Sequence, residues 1–218
     1  MKNTRAFLFD LNGTMIDDMN YHIRAWHDIF NRLGVTISMH ETKMQCYGKN
    51  AEVIERVIPG RFSDDEKNTM SLNKEKKYQE AFRPFLKLIN GLDDFLEKAK
   101  QQDIQMAIGT AAIRFNVDFV LDGLHLHDYF NVIISADDVE ESKPNPQTFL
   151  KCAELLGVRP DECIVFEDAP KGAEAAERAG MRSVVITTMH KEEEFTGKNI
   201  ICFAQDYTNG LFEKIMIG

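Results

Sequence analysis

An α/β fold, a doubly wound parallel sheet interrupted early by an all-helical insert, is predicted by three features of this sequence. The first ordered segment, Arg5-Ala6-Phe7-Leu8-Phe9, is a short apolar run that stops at Asp10 and the turn Leu11-Asn12-Gly13-Thr14. Such a run bounded by a turn suits a strand covered on both faces. The next stretch, to about residue 88, is helical in period and rich in charge, with no strand-like run. From Asn90-Gly91 onward helix and strand patterns alternate, which implies parallel strands joined by right-handed crossovers with helices on both faces. The expected organisation is a core of residues 1–14 and 89–218 and a helical insert of 15–88.

The insert begins with an amphipathic helix from Asp17 to about Leu33, in which Tyr21, Ala25, Trp26, Ile29, Phe30 and Leu33 recur at helical spacing and Gly34 is a natural stop. Pro59-Gly60 reads as a turn, and Ser63-Asp64-Asp65-Glu66 resembles a capping box. In the second half, helices around Leu92–Ala99, Val117–Leu124, Phe149–Leu156 and Lys171–Ala179 alternate with strands at Ile104–Gly109, Val132–Ile134, Cys163–Phe166 and Ser183–Ile186. A last short strand is expected near Ile200–Phe203.

Composition narrows the function. Lys and Arg number 26 against 35 Asp and Glu, a net charge of -9, which argues against a nucleic-acid-binding surface and against anionic membranes. No apolar stretch approaches the length of a membrane span, and the chain enters a strand without a signal-peptide pattern, so the cytoplasm is the expected compartment. Cys46, Cys152, Cys163 and Cys202 are scattered without the close pairing a zinc site needs, and read as reduced structural thiols.

Four strand ends carry polar groups: Asp10 and Asn12 after the first, Thr110 after the second, Lys143 beyond the third, Glu167 and Asp168 after the fourth. In a parallel sheet these meet along one edge, where open α/β sheets bind ligands. Carboxylates from neighbouring strands suit a hard cation such as Mg²⁺, which leaves positions open for a phosphate. A lysine and a hydroxyl beside it can hold the other phosphate oxygens, and an Asp can act as a nucleophile, giving an aspartyl-phosphate. Each residue also has a plainer reading. Asp10, Thr110 and Glu167-Asp168 can each serve as helix caps, and Lys143 as a solvated loop cation. Their ordered occurrence at successive strand ends favours the joint site.

The segments Phe9-Asp10-Leu11-Asn12-Gly13-Thr14, Thr110, Ser142-Lys143-Pro144-Asn145-Pro146 and Phe166-Glu167-Asp168-Ala169-Pro170-Lys171-Gly172 resemble the four motifs of the haloacid dehalogenase superfamily. The resemblance covers essentially the whole chain, including a helical cap after the first motif. The first cap helix, Tyr21-His22-Ile23-Arg24-Ala25-Trp26, is similar to that of the β-phosphoglucomutase and sugar-phosphatase branch. It implies a Rossmann-like core and Asp10 as nucleophile, with Thr110 and Lys143 as phosphate binders. It further implies Mg²⁺ held by Asp10, the main-chain carbonyl of Asn12 and Asp168, with Glu167 in support. Substrate contacts are implied at His22, Lys49, Ala111 and Arg114, although Lys49 and Arg114 also read as solvated charges.

Two departures qualify the resemblance. The pattern has an aspartate at Asn12 that protonates the leaving oxygen and then activates the acceptor, and an amide does not titrate in this range. Metal and phosphate binding are therefore expected to persist while turnover is impaired. The mutase arginine for a distal phosphate falls at Ala51, with Lys49 close by but lacking the bidentate fork. The leading expectation is a monomeric, Mg²⁺-dependent phosphohydrolase acting on a small phosphorylated metabolite, first of all a sugar phosphate. The alternatives are a β-phosphoglucomutase, a non-catalytic phosphate-ligand binding protein and, more weakly, a dehalogenase.

Overall fold

A computed structural model describes residues 4–217, except for the side chain of Ile217. Residues 1–3 and 218 of the expected core lie outside them. The chain forms two compact units, one of residues 18–86 and the other of the flanking segments up to 17 and from 87.

The flanking segments build a six-stranded sheet of β1 (Ala6–Phe9), β2 (Gln105–Gly109), β3 (Val132–Ile134), β4 (Cys163–Glu167), β5 (Arg182–Ile186) and β6 (Ile200–Ala204). All pairings are parallel, and the order is β3-β2-β1-β4-β5-β6. Thus β1 lies between β2 and β4, at the point where the winding reverses. Residues of β1 alternate between the two faces. Ala6 and Leu8 join Phe149, Cys152 and Ala153 of α7 (Gln147–Leu156) and Ala175 and Ala176 of α8 (Pro170–Arg178). On the other side, Phe7 and Phe9 pack against Phe95 of α5 (Leu92–Gln101), and Phe7 also meets Phe212 of α9 (Leu211–Ile217). Burial on both faces explains why β1 reads as an unbroken apolar run rather than an alternating one. Among the described residues, the remaining α-helix of this unit is α6 (Arg114–Leu124). The strands match the expected ones to within a residue at either end, whereas α9 lies beyond the last expected element. The four cysteines are free thiols.

The helical unit contains α1 (Met19–Arg32), α2 (Met39–Gln45), α3 (Asn50–Val57) and α4 (Asp64–Phe82). Trp26, Phe30, Val53, Ile54 and Ile58 form its apolar centre, with Cys46 packed alongside. The expected capping box at the start of α4 is present: Glu66 N–H donates to Ser63 Oγ, and Ser63 N–H to Glu66 Oε2 at 2.8 Å. A second box, Ser38 with Glu41, starts α2. Among the described residues no helix is long and apolar enough to cross a membrane.

The buried face of α4 is charged. Lys74 and Glu75 are 2% and 3% exposed, and the Lys74 ammonium donates to Glu75 Oε1 at 2.8 Å and to His22 Nδ1. Asn50 Nδ2 donates to the same Glu75 oxygen at 2.6 Å. Since His22 Nδ1 accepts from Lys74, its Nε2–H faces Asp18 Oδ2, 3.2 Å away, and Tyr78 O–H donates to that oxygen as well. Burial alone would raise the Glu75 pKa, but the Lys74 ammonium and the hydrogen bonds from Lys74 and Asn50 outweigh it and bring it down to about 2. A carboxylate depressed from 4.5 to about 2 stabilises the fold fully above pH 4.5, and the contribution is lost as pH falls from 4.5 toward 2. That shift corresponds to about 3 kcal/mol. Glu75→Gln is therefore expected to lower stability at pH 7 by about that amount, with the gap to the parent closing between pH 4.5 and 2. Urea unfolding followed by the fluorescence of Trp26, the single tryptophan, checks this. A gap that persists to pH 2 would exclude it.

Candidate active site

The parallel register brings the strand ends together. Phe9 pairs with Ile108 and with Phe166, so Asp10 stands level with Gly109 on one side and Glu167 on the other, one residue short of Thr110. The Asp10 N–H donates to the Phe166 carbonyl at 2.9 Å, continuing the ladder one step past β1. Lys143 reaches the same edge from the loop after β3. Its ammonium donates to Asp10 Oδ1 at 2.7 Å and to Glu167 Oε1 at 2.6 Å. Glu167 Oε2 in turn accepts the N–H groups of Asp168 and Ala169, each at 3.0 Å. Asp10, Thr110, Lys143, Glu167 and Asp168 are all buried.

The plainer readings can now be compared with geometry. Thr110 does not cap α6, whose N-cap is Ile113; its hydroxyl accepts the Ala112 N–H at 3.1 Å. The α8 cap position is Ala169, without a side-chain cap. Lys143 is not solvated, and a buried cation between two carboxylates is retained only where its hydrogen bonds are met.

Burial pushes the Asp10 carboxyl up to about 7, against the pull of the Lys143 ammonium and with a further push from the Glu167 charge. For Lys143, burial would lower the pKa, but the Asp10 and Glu167 charges outweigh it and hold it above the usual lysine range. Three acids, Asp10, Glu167 and Asp168, and one lysine therefore leave the site short of positive charge when the carboxyls ionise. Asp10, Glu167 and Asp168 each offer an oxygen, all within 4.8 Å of one another. Buried carboxylates at this spacing fit a hard divalent cation. Two close approaches keep the space open. Gly13 has φ +74°, and a Cβ there would stand 2.1 Å from Asp168 Oδ2; a Cβ on Gly172 would stand 1.8 Å from Glu167 Oε1. Thr14 Oγ1, in the same turn, is buried with no hydrogen-bond partner.

Asn12 is half-buried in this turn, where the Gly13 N–H donates to the Ile16 carbonyl at 2.8 Å. Ala111 follows Thr110 in the loop between β2 and α6. Arg114 is exposed, with its Nε on Asp118 at 2.7 Å and its N–H on Asp137 Oδ2 at 2.9 Å. His22 and Lys49 belong to the helical unit. His22 is buried in the network described above, and Lys49 is the half-buried N-cap of α3, its N–H on Glu52 Oε2 at 3.0 Å. Sequence reasoning misses Thr188, whose hydroxyl donates to the Gly13 carbonyl at 2.6 Å, and Tyr207, whose hydroxyl donates to the Thr14 carbonyl at 3.1 Å. The feature that marks Thr110, a hydroxyl just past an apolar strand, also occurs at Thr187-Thr188 after β5.

The family model described as haloacid dehalogenase-like hydrolase matches residues 7–186, from the strand that delivers Asp10 to the end of β5. The chain belongs to this family. Among relatives of the haloacid dehalogenase-like hydrolase, hexitol phosphatase B of Escherichia coli K12 is 30% identical over 200 residues, 83% of this chain and 82% of its own length. Fructose-1-phosphate phosphatase YqaB of the same organism is 28% identical over 179 residues, 82% and 94% of the two chains. Among solved structures, a β-phosphoglucomutase from Clostridium difficile superposes with a TM-score of 0.86 at 27% identity, covering 98% of this chain and 96% of its own. By family the chain is therefore an enzyme of the phosphatase and phosphomutase type.

Proposed function

We propose that this chain is an Mg²⁺-dependent phosphohydrolase that cleaves a small phosphorylated metabolite, a sugar phosphate by class, through an aspartyl-phosphate on Asp10. The observation that carries the reading is the Lys143 ammonium shared by Asp10 and Glu167 beside the acidic cluster. Asp10, Asp168 and the Asn12 carbonyl would hold the cation, with Glu167 in support. When bound, it would neutralise phosphate charge and favour the ionised form of Asp10.

The Asp10 carboxylate attacks phosphorus, forming the acyl phosphate as the bond to the sugar oxygen breaks. Lys143 and the Thr110 hydroxyl hold phosphoryl oxygens, adding charge stabilisation where it develops. The departing alkoxide then needs a proton, and water needs a base to open the acyl phosphate. The Asn12 amide supplies neither. Binding with slow turnover is the consequence. A phosphomutase reading, in which the phosphoryl group passes to a sugar hydroxyl, is supported by the likeness to the Clostridium difficile structure, but Ala51 stands where the resemblance places an arginine for a distal phosphate.

The test is phosphate release from a panel of sugar phosphates, nucleotides and pyrophosphate, with and without Mg²⁺. Slow, Mg²⁺-dependent release confined to sugar phosphates is expected. Metal-independent release, or a preference for nucleotides, would overturn the reading.

A further inference from the structure

The turn that follows Asp10 is held from outside by two hydroxyls that lie far away in sequence. Thr188, just past β5, donates to the Gly13 carbonyl, and Tyr207, just past β6, donates to the Thr14 carbonyl. The preceding peptide is tied by its N–H, which runs from Gly13 to the Ile16 carbonyl. In a planar trans peptide the C=O points opposite to the N–H, so this bond sets the direction of the Asn12 carbonyl. Three successive peptide planes, 12–13, 13–14 and 14–15, are thus each fixed by a hydrogen bond.

Tyr207 does more than donate. It is 4% exposed, and its ring lies 6.4 Å from that of Phe9 and 5.8 Å from that of Phe166. These two rings stack on one another at 4.7 Å and immediately precede Asp10 and Glu167. Its N–H donates to the Asn90 carbonyl at 3.0 Å, which fixes the tyrosine backbone. One residue therefore touches the floor beneath both acids and the turn beside them. Burial, with the Asp10 and Asp168 charges, holds the phenol well above its usual range, so it remains a donor throughout working pH.

We propose that Tyr207, with Thr188, is a positioning residue for the Asn12 carbonyl, clamping the next two carbonyls so that the turn presents a main-chain oxygen to the cation. This rests on the reading of the acidic cluster as a divalent-cation site. Tyr207→Phe keeps the ring on its aromatic floor and deletes only the donor. Thr188→Val is the matching change at the neighbouring carbonyl. Phe212→Leu, one layer away against Phe7 and Phe95, disturbs packing without touching the turn.

The probe is Mn²⁺, titrated into the full chain and followed by the loss of the free-ion electron paramagnetic resonance signal, with urea midpoints measured in parallel. Tyr207→Phe and Thr188→Val are each expected to raise the Mn²⁺ Kd about 10-fold, as loss of an outer hydrogen bond at a metal site does. Phe212→Leu is expected to lower the urea midpoint and leave the Kd at the parent value. Parent-like Kd values in both hydroxyl variants overturn the proposal, and so does an equal loss in Phe212→Leu, which would make the effect one of general stability. A parent that binds no Mn²⁺ overturns the cation reading and this proposal with it. Binding by the parent alongside unaltered variants removes only the role of Tyr207 and Thr188.

Discussion

Asn12→Asp is expected to raise the rate of phosphate release by about 10²–10⁴, the usual contribution of a positioned acid or base. The reason is confined to one atom. Aspartate and asparagine are nearly the same size, and main-chain groups of the turn are held by the Gly13 N–H on the Ile16 carbonyl and by the Thr188 and Tyr207 hydroxyls on the Gly13 and Thr14 carbonyls. The substitution therefore supplies a titratable oxygen without moving the Asn12 carbonyl. Mn²⁺ affinity is expected to change little while kcat rises, and the variant should show a new acidic limb in its pH–rate profile. Steady-state kinetics on the best substrate of the panel, for parent and variant together, check this. A variant no faster than the parent would show that Asn12 is not what limits turnover, and the reading of the chain as a binding protein would move ahead.

Lys143→Met is expected to destabilise the metal-free protein by about 3–5 kcal/mol at neutral pH, because it leaves the buried Glu167 carboxylate without its counter-charge and forces Asp10 to take up a proton. Asp10 and Glu167 both lose a hydrogen bond of 2.7 Å or less, while methionine retains most of the contact with Phe149, whose ring centre lies 4.6 Å from the ammonium. The sign with pH follows from Asp10, whose carboxyl is already pushed up to about 7 by burial. Without the lysine it rises further, so protonation relieves the strain as pH falls and the gap to the parent narrows toward acid. Millimolar Mg²⁺ should restore part of the loss, giving a larger Mg²⁺-induced rise in Tm for the variant than for the parent. Thermal unfolding at several pH values, with and without Mg²⁺, measures both effects. Equal stability of variant and parent at pH 7 would mean that the carboxylates are not ionised together, and the electrostatic account of the site would fall.

Much of the fold is local and therefore legible. An apolar run buried on both faces, a turn, and a return to helical periodicity each leave a mark in the residues themselves, as at Ala6–Phe9, Cys163–Phe166 and the Ser63 capping box. So do Asp10, Thr110, Lys143 and Glu167-Asp168, because each directly follows a strand or its loop, and a parallel sheet places all such ends on one side. The charged face of α4 was not legible. Lys74 and Glu75 look like an ordinary solvated pair until His22, Asn50, Asp18 and Tyr78 close around them.

The sequence by itself determined which residue types stand at the strand ends, and that an amide, Asn12, stands where the family resemblance places an aspartate. Only the tertiary structure decided that Lys143 is shared between Asp10 and Glu167 and that Thr188 and Tyr207 hold the turn beside them. Hydrogen bonds joining residues 133, 175 and 193 positions apart leave no periodicity in the chain. They arise only once the strand order places β1 between β2 and β4 and brings distant loops to one edge.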